Sequence, residues 1–298
     1  MDKKGRPSAH QKYFVAWNRM TGIAPSTEQG WRAFRDYYYN CIQNNDHHLQ
    51  TLLACMEKHQ LLRNTIIILT ADHGEMMGAH GLKGKGGFVY ENNIHVPLII
   101  YHPAYEGGRR CRNISSHLDL APTLVDMTTS PSKSNITADL KGHSLMPMVK
   151  NPSSDIRNSK GALFAFDMIS MIDGNFYADP SNRQFRIDMN KKGFLRGIIT
   201  SDYKFARYFA PMKFNTPTDY DELYRLNEVE MYAIDSDETD NLAYPKGRNK
   251  EIVMDLNTSL NLLIREEIGT DDGRETEAYV GGLANYAKDN NNDNQPLK

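Results

Sequence analysis

The stretch Thr65 to Ile100 reads TIIILTADHGEMMGAHGLKGKGGFVYENNIHVPLII, and the fold follows from how it is parsed. It opens on an unbroken apolar and β-branched run, Thr65 to Thr70, which predicts a strand. A run without alternation fits burial on both faces, as in a parallel sheet flanked by helices. Asp72-His-Gly-Glu75 stands at the strand's end, and a glycine-rich loop of about twenty residues follows. Loops that long inside a domain are usually functional or disordered. A second apolar run, Val96 to Tyr101, predicts another strand, with Pro97 acceptable only near its start or on an edge.

Upstream, Ile42, Leu49, Leu53 and Met56 recur at helical spacing and predict one buried face on a helix from Trp31 to Leu62. Helix followed by buried strand is the α/β pattern. Downstream, Ser115 to Met127 reads as a short helix, with Asp119 as N-cap and Pro122 in the first turn. Residues 128–160 are polar and broken by prolines, and Gly161 to Phe166 predicts a strand. From Gly193 the pattern changes. Leu195 to Thr200 and Tyr203 to Phe209 alternate across the turn-like Ser201-Asp202, as in a hairpin. Glu222 to Leu226 could add a strand, and Glu251 to Ile268 has helical periodicity. Lys288 to Gln295 is low-complexity and reads as disordered. The boundary falls near residue 185, between an α/β part (1–185) and a smaller antiparallel part with a helix (186–298).

Composition narrows the function. Lys and Arg number 35 against 37 Asp and Glu, a net charge of −2. A nucleic-acid binder held by bulk charge should be plainly basic. The apolar runs fall far short of the ~20 residues of a membrane span. Three cysteines, Cys41, Cys55 and Cys111, with no CxxC pair, argue against a disulfide framework or a cysteine-rich zinc site. No secretory signal is visible after Met1, and three N-x-S/T sequons occur, at Asn113, Asn135 and Asn257.

In open α/β sheets, ligand sites sit beyond the carboxyl ends of strands. Asp72 offers hard oxygens there and His73 an imidazole, so the pair could hold a divalent metal. Gly74 would allow the turn that brings both to one ion. An isolated Asp-His-Gly tripeptide is more often a surface turn. Here it is followed by Gly81-Leu-Lys-Gly-Lys-Gly-Gly and then by His95-Val-Pro-Leu.

Taken in this order, with SHLDLAPTLVDM, Ser201-Asp-Tyr-Lys204, Glu222-Leu-Tyr-Arg-Leu226 and Asp237-Glu-Thr-Asp-Asn-Leu242 downstream, the chain resembles the sulfatase family of the alkaline phosphatase superfamily over roughly residues 31–265. The resemblance implies a partial alkaline-phosphatase-like sheet flanked by helices, followed by the small C-terminal antiparallel sheet with its helix. It implies metal-dependent hydrolysis of sulfate esters on a sulfated small molecule or glycan. Asp72 and His73 match metal ligands, usually of calcium, and the imidazole leaves manganese or zinc open. Lys85 matches the lysine that contacts the sulfate, with Lys83 as the rival if the loop register differs. Glu75 is expected to bond to loop backbone. His80 and His95 are expected to be packed or exposed, without a role in the chemistry.

Several family features are missing from the sequence. The nucleophile of such enzymes is a formylglycine made from Cys or Ser in a C/S-x-P-x-R motif, and no Cys or Ser here begins one. The aspartate pair that usually precedes it is absent too, and Phe14 to Gly22 lacks the usual histidine. The chain therefore reads as the C-terminal half to two-thirds of a sulfatase, inactive without the rest. The competing readings are a non-catalytic remnant or binding protein, and a phosphonate or phosphate ester hydrolase of the same superfamily. An interior strand without its neighbours would present an open edge, which invites a missing N-terminal half or self-association.

Overall fold

The computed structural model describes residues 5–167, 190–211, 213, 215–234 and 236–270. The boundary near 185 and the low-complexity tail lie outside them.

The chain begins with α1 (Ser8–Thr21) and α2 (Glu28–Lys58). Thr27 caps α2, its Oγ1 accepting from Gly30 N at 3.1 Å, so the helix starts ahead of the apolar stripe that predicts it. The stripe does not find the expected cover: no residue of α2 is buried, and Ile42 is 47% exposed. Next come β1 (Ile67–Thr70), the long loop, α3 (Glu91–Ile94) and β2 (Leu98–Tyr101). β1 and β2 pair antiparallel, Ile67 opposite Tyr101 and Thr70 opposite Leu98, and form a sheet of two strands. This corrects the parallel, doubly covered strand that the apolar run suggests. An antiparallel ribbon can leave a face to water, and Ile99 and Tyr101 are exposed.

α4 (Leu120–Asp126), α5 (Lys133–Thr137) and α6 (Met146–Lys150) follow. Asp119 occupies the N-cap position of α4, but its side chain makes no cap bond to that helix. Ser116 caps the turn before it, and Asp119 closes the reciprocal half of a capping box, accepting from Ser116 N at 2.7 Å. Its other oxygen receives His143 N (2.8 Å) and the buried Arg157 (2.7 Å), so the helix start becomes a junction with the loop below.

The second sheet is an antiparallel meander of β3 (Ala162–Phe166), β4 (Phe194–Ile199), β5 (Tyr203–Phe209) and β6 (Glu228–Ala233) in that order. The β4–β5 hairpin is the one read from Leu195 to Phe209. The segment Glu222 to Leu226, read as a strand, is instead part of α7 (Tyr220–Leu226). Asp219 decides this locally: its carboxylate accepts from Asp221 N and Glu222 N, a helix start that the strand reading missed. The closing helix, α8 (Lys250–Glu267), packs Val253, Leu256, Leu260, Leu263 and Ile264 against Ile198, Phe205 and Met231. The two-residue period of the strands turns Leu195, Ala206, Tyr208 and Tyr232 to the other face. There they meet Tyr13 of α1 and Met76, Leu82, Phe88, Val89 and Tyr90 of the long loop. The meander is thus the floor on which that loop rests.

Candidate functional site

The site is built on the end of β1 and the loop that follows. Gly74 passes so close to α3 that a Cβ there would lie 2.0 Å from Asn92 O. The closeness lets Gly74 N donate to Asn93 O (3.0 Å) and Glu75 N to Asn92 O (2.9 Å). Glu75 is structural, its Oε1 accepting from Met77 N (3.2 Å) and Gly84 N (2.6 Å). Asn93, buried, holds the next turn: Oδ1 accepts from Gly86 N (3.0 Å), and Nδ2 donates to Gly86 O (2.8 Å) and Phe88 O (2.7 Å). Lys85 is therefore fixed at both neighbours. At Gly84 the backbone has φ 76°, and a side chain would strike the ring of Trp17.

The residues read from sequence meet at this point. His73 N donates to Asp72 Oδ1 at 3.0 Å. His73 Nδ1 donates to Gly74 O at 2.9 Å, which leaves Nε2 with its lone pair. Nε2 faces Asp72 Oδ2 at 3.2 Å and Lys85 Nζ at 2.5 Å. Asp72 is 85% exposed and His73 partly so, hence the cluster opens to solvent. Lys83 faces elsewhere. It is buried and donates to Gly22 O, and desolvation pulls its pKa down despite the nearby Glu75 carboxylate. His117, which the sequence reading passed over, donates from Nε2 to Ala71 O (2.8 Å) and steadies the backbone just before Asp72. His80 and His95 lie outside the cluster: His80 stacks on Tyr90 at 3.9 Å, and exposed His95 pairs with Glu91.

The donor set can be tested against a metal. Two ligands at ~2.1–2.4 Å from one ion, in adjacent positions, lie ~3.0–3.4 Å apart. Nε2 of His73 and Oδ2 of Asp72, at 3.2 Å, meet that spacing. The backbone bond at Nδ1 is the kind of outer-sphere contact that orients ligating histidines; the Lys85 ammonium sits on the Nε2 lone pair, so an ion bound there would displace it. Two donors do not complete a shell. Among the described residues no group of three or more His, Cys, Asp or Glu is placed to hold an ion. Also among the described residues, no helix is long and apolar enough to cross a membrane.

The family model described as Sulfatase matches residues 5–130. Arylsulfatase K of Xenopus laevis is 33% identical over 131 residues, covering 44% of this chain and 24% of that protein. A solved structure in complex with its substrate D-glucosamine-2-N,6-O-disulfate aligns with a TM-score of 0.54 at 26% identity, covering 74% of this chain and 38% of that one. The phosphonate monoester hydrolase of Agrobacterium radiobacter shares the fold, with a TM-score of 0.61 at 23% identity over 81% of this chain and 43% of its own. The chain thus spans about a quarter of the curated relative's length. Residues 5–130 match the Sulfatase family model, and the described residues share the alkaline-phosphatase-like fold of the structures they align with.

Proposed function

We propose that the chain supplies the metal- and anion-facing part of a sulfuric ester hydrolase acting on a sulfated small molecule or glycan. The observation that carries this is the convergence of Asp72 Oδ2, His73 Nε2 and Lys85 Nζ at the end of β1. Asp72 and His73 would hold a divalent ion, calcium by resemblance, with manganese or zinc suited to the imidazole. When bound, the ion withdraws charge from sulfate oxygens. Lys85 places a cation on the same side and favours the charge that develops on the sulfate as the alcohol leaves. Calcium takes about 6–8 oxygens, so further ligands, together with the nucleophile, come from outside this sequence. The two-stranded ribbon, with exposed Leu69, Ile99 and Tyr101, is where the completing part of the sheet would pair.

Two other readings have an observation each. The lack of a C/S-x-P-x-R motif favours a non-catalytic remnant or binding protein. The likeness to a phosphonate monoester hydrolase keeps phosphonate or phosphate esters as substrates. Titration with inorganic sulfate, at ionic strength held with chloride and followed by NMR at Lys85 and His73, tests the proposal. A saturable response lost in Lys85→Ala is expected, and no turnover of 4-nitrophenyl sulfate by the chain alone. An unchanged response in Lys85→Ala, or turnover by the isolated chain, refutes it.

A further inference from the structure

We propose that Glu238 is the positioning residue for Lys85: its carboxylate anchors the Glu91 end of the loop His80 to Glu91, packs against His80 at the other end, and so fixes the lysine at its middle. Glu238 is 3% exposed, from the segment after β6. Its oxygens accept from Glu91 N at 3.1 and 3.0 Å, and Oε1 accepts from buried Lys204 at 2.6 Å. Lys204 also pairs with the Glu91 carboxylate. At the loop's other end, His80 Nε2 stands 3.6 Å from Glu238 Oε2.

The tautomer is set from outside. Arg6 donates to His80 Nδ1 at 2.9 Å and to His80 O at 3.0 Å, so the ring proton sits on Nε2, facing Glu238. Backbone strain marks the same contact. His80 has φ 55° and Glu238 φ 53°, both left-handed without being glycine. Such residues persist where the surroundings hold them, and two whose side chains face each other indicate a purpose beyond chain reversal.

The connection from Glu238 to Lys85 is short. Glu238 holds the first residue of α3, and Asn93 within α3 holds Gly86 on both its N–H and C=O. Releasing the carboxylate removes the tie at the first residue of α3, leaving Gly74 N–Asn93 O and Glu75 N–Asn92 O, and so loosens one neighbour of Lys85. The cost of closing a loop is what the staple removes from anion binding.

The role assigned to Lys85 rests on the proposed function, so the test separates the two. Amide hydrogen exchange and the sulfate titration are measured on the chain and on Glu238→Gln, Glu238→Ala and Lys85→Ala. Exchange over residues 82–90 is expected to rise about tenfold or more in Glu238→Gln, with α8 amides unchanged, and half-saturation by sulfate to rise about threefold or more. Uniform exchange changes, or none over 82–90, overturn the staple. If Glu238→Gln does not fold, His80→Phe, which keeps the stacking on Tyr90, is judged by the same regional criterion. Loosened 82–90 with a sulfate response indifferent to Lys85→Ala would leave the staple standing and sink the Lys85 assignment. A response that needs Lys85 but ignores both Glu238 variants would do the reverse.

Discussion

Replacing Gly74 with alanine should both destabilise the protein and dismantle the site, and the size of the effect follows from one distance. The added Cβ would lie 2.0 Å from Asn92 O. An ordinary contact needs ~3.2 Å, so the β1 end and α3 must part by ~1.2 Å. That displacement stretches Gly74 N–Asn93 O and Glu75 N–Asn92 O, now 3.0 and 2.9 Å, beyond hydrogen-bonding range. Two lost backbone bonds at ~1 kcal/mol each, with overpacking of ~1–3 kcal/mol, give ~3–5 kcal/mol. Urea unfolding reads this as a lower midpoint at unchanged slope. The His73–Lys85 contact should loosen too, visible as a changed His73 ring spectrum in folded protein. A midpoint equivalent to less than ~0.5 kcal/mol, with an unchanged His73 spectrum, would refute the close-approach argument.

Other perturbations follow from the same packing. Asp119→Ala removes the close ion-pair partner of buried Arg157, which keeps Glu267 at 3.7 Å and Gly161 O at 3.4 Å, and should cost ~3–5 kcal/mol in urea unfolding. Leu260→Ala, in the seam of α8 on the meander, should cost ~2–5 kcal/mol, read by thermal melting. Burial pushes the Glu230 carboxyl up, but His10, Tyr208 and Tyr232 together hold it below the ordinary value. With a folded pKa depressed, its contribution is present above the usual glutamate value of about 4.3 and lost as pH falls below it. The fall in urea midpoint between pH 7 and pH 3.5 should therefore be smaller in Glu230→Gln than in the parent chain, which a pair of titrations decides.

Much of this was legible in the residues. Asp72 and His73 could be singled out because a strand end followed by a glycine loop is a local pattern, and Lys85 only through the family resemblance; the fold brings the three together. The β4–β5 hairpin and α8 were legible as local patterns too. Four features were not. The pairing direction of β1 depends on β2, about thirty residues away, and an apolar run of that length says nothing about direction. The exposure of α2 depends on what packs against it, which periodicity does not encode. The helix at Tyr220 to Leu226 turned on the cap Asp219, a signal present in the sequence that the strand reading did not use. Asp119 was read as a cap from its place before Leu120, whereas its partners Arg157 and His143 lie far along the chain. Glu238, His117 and Arg6 act on the loop through contacts that no local motif announces.

The proposed function requires Asp72 and His73 to share one ion. Manganese added to the protein should broaden the His73 ring signals well before those of the exposed His47 and His48 on α2, and Asp72→Ala should abolish that selectivity. If His73 broadens no sooner than His47 and His48, or if Asp72→Ala leaves its response unchanged, Asp72 and His73 do not share an ion.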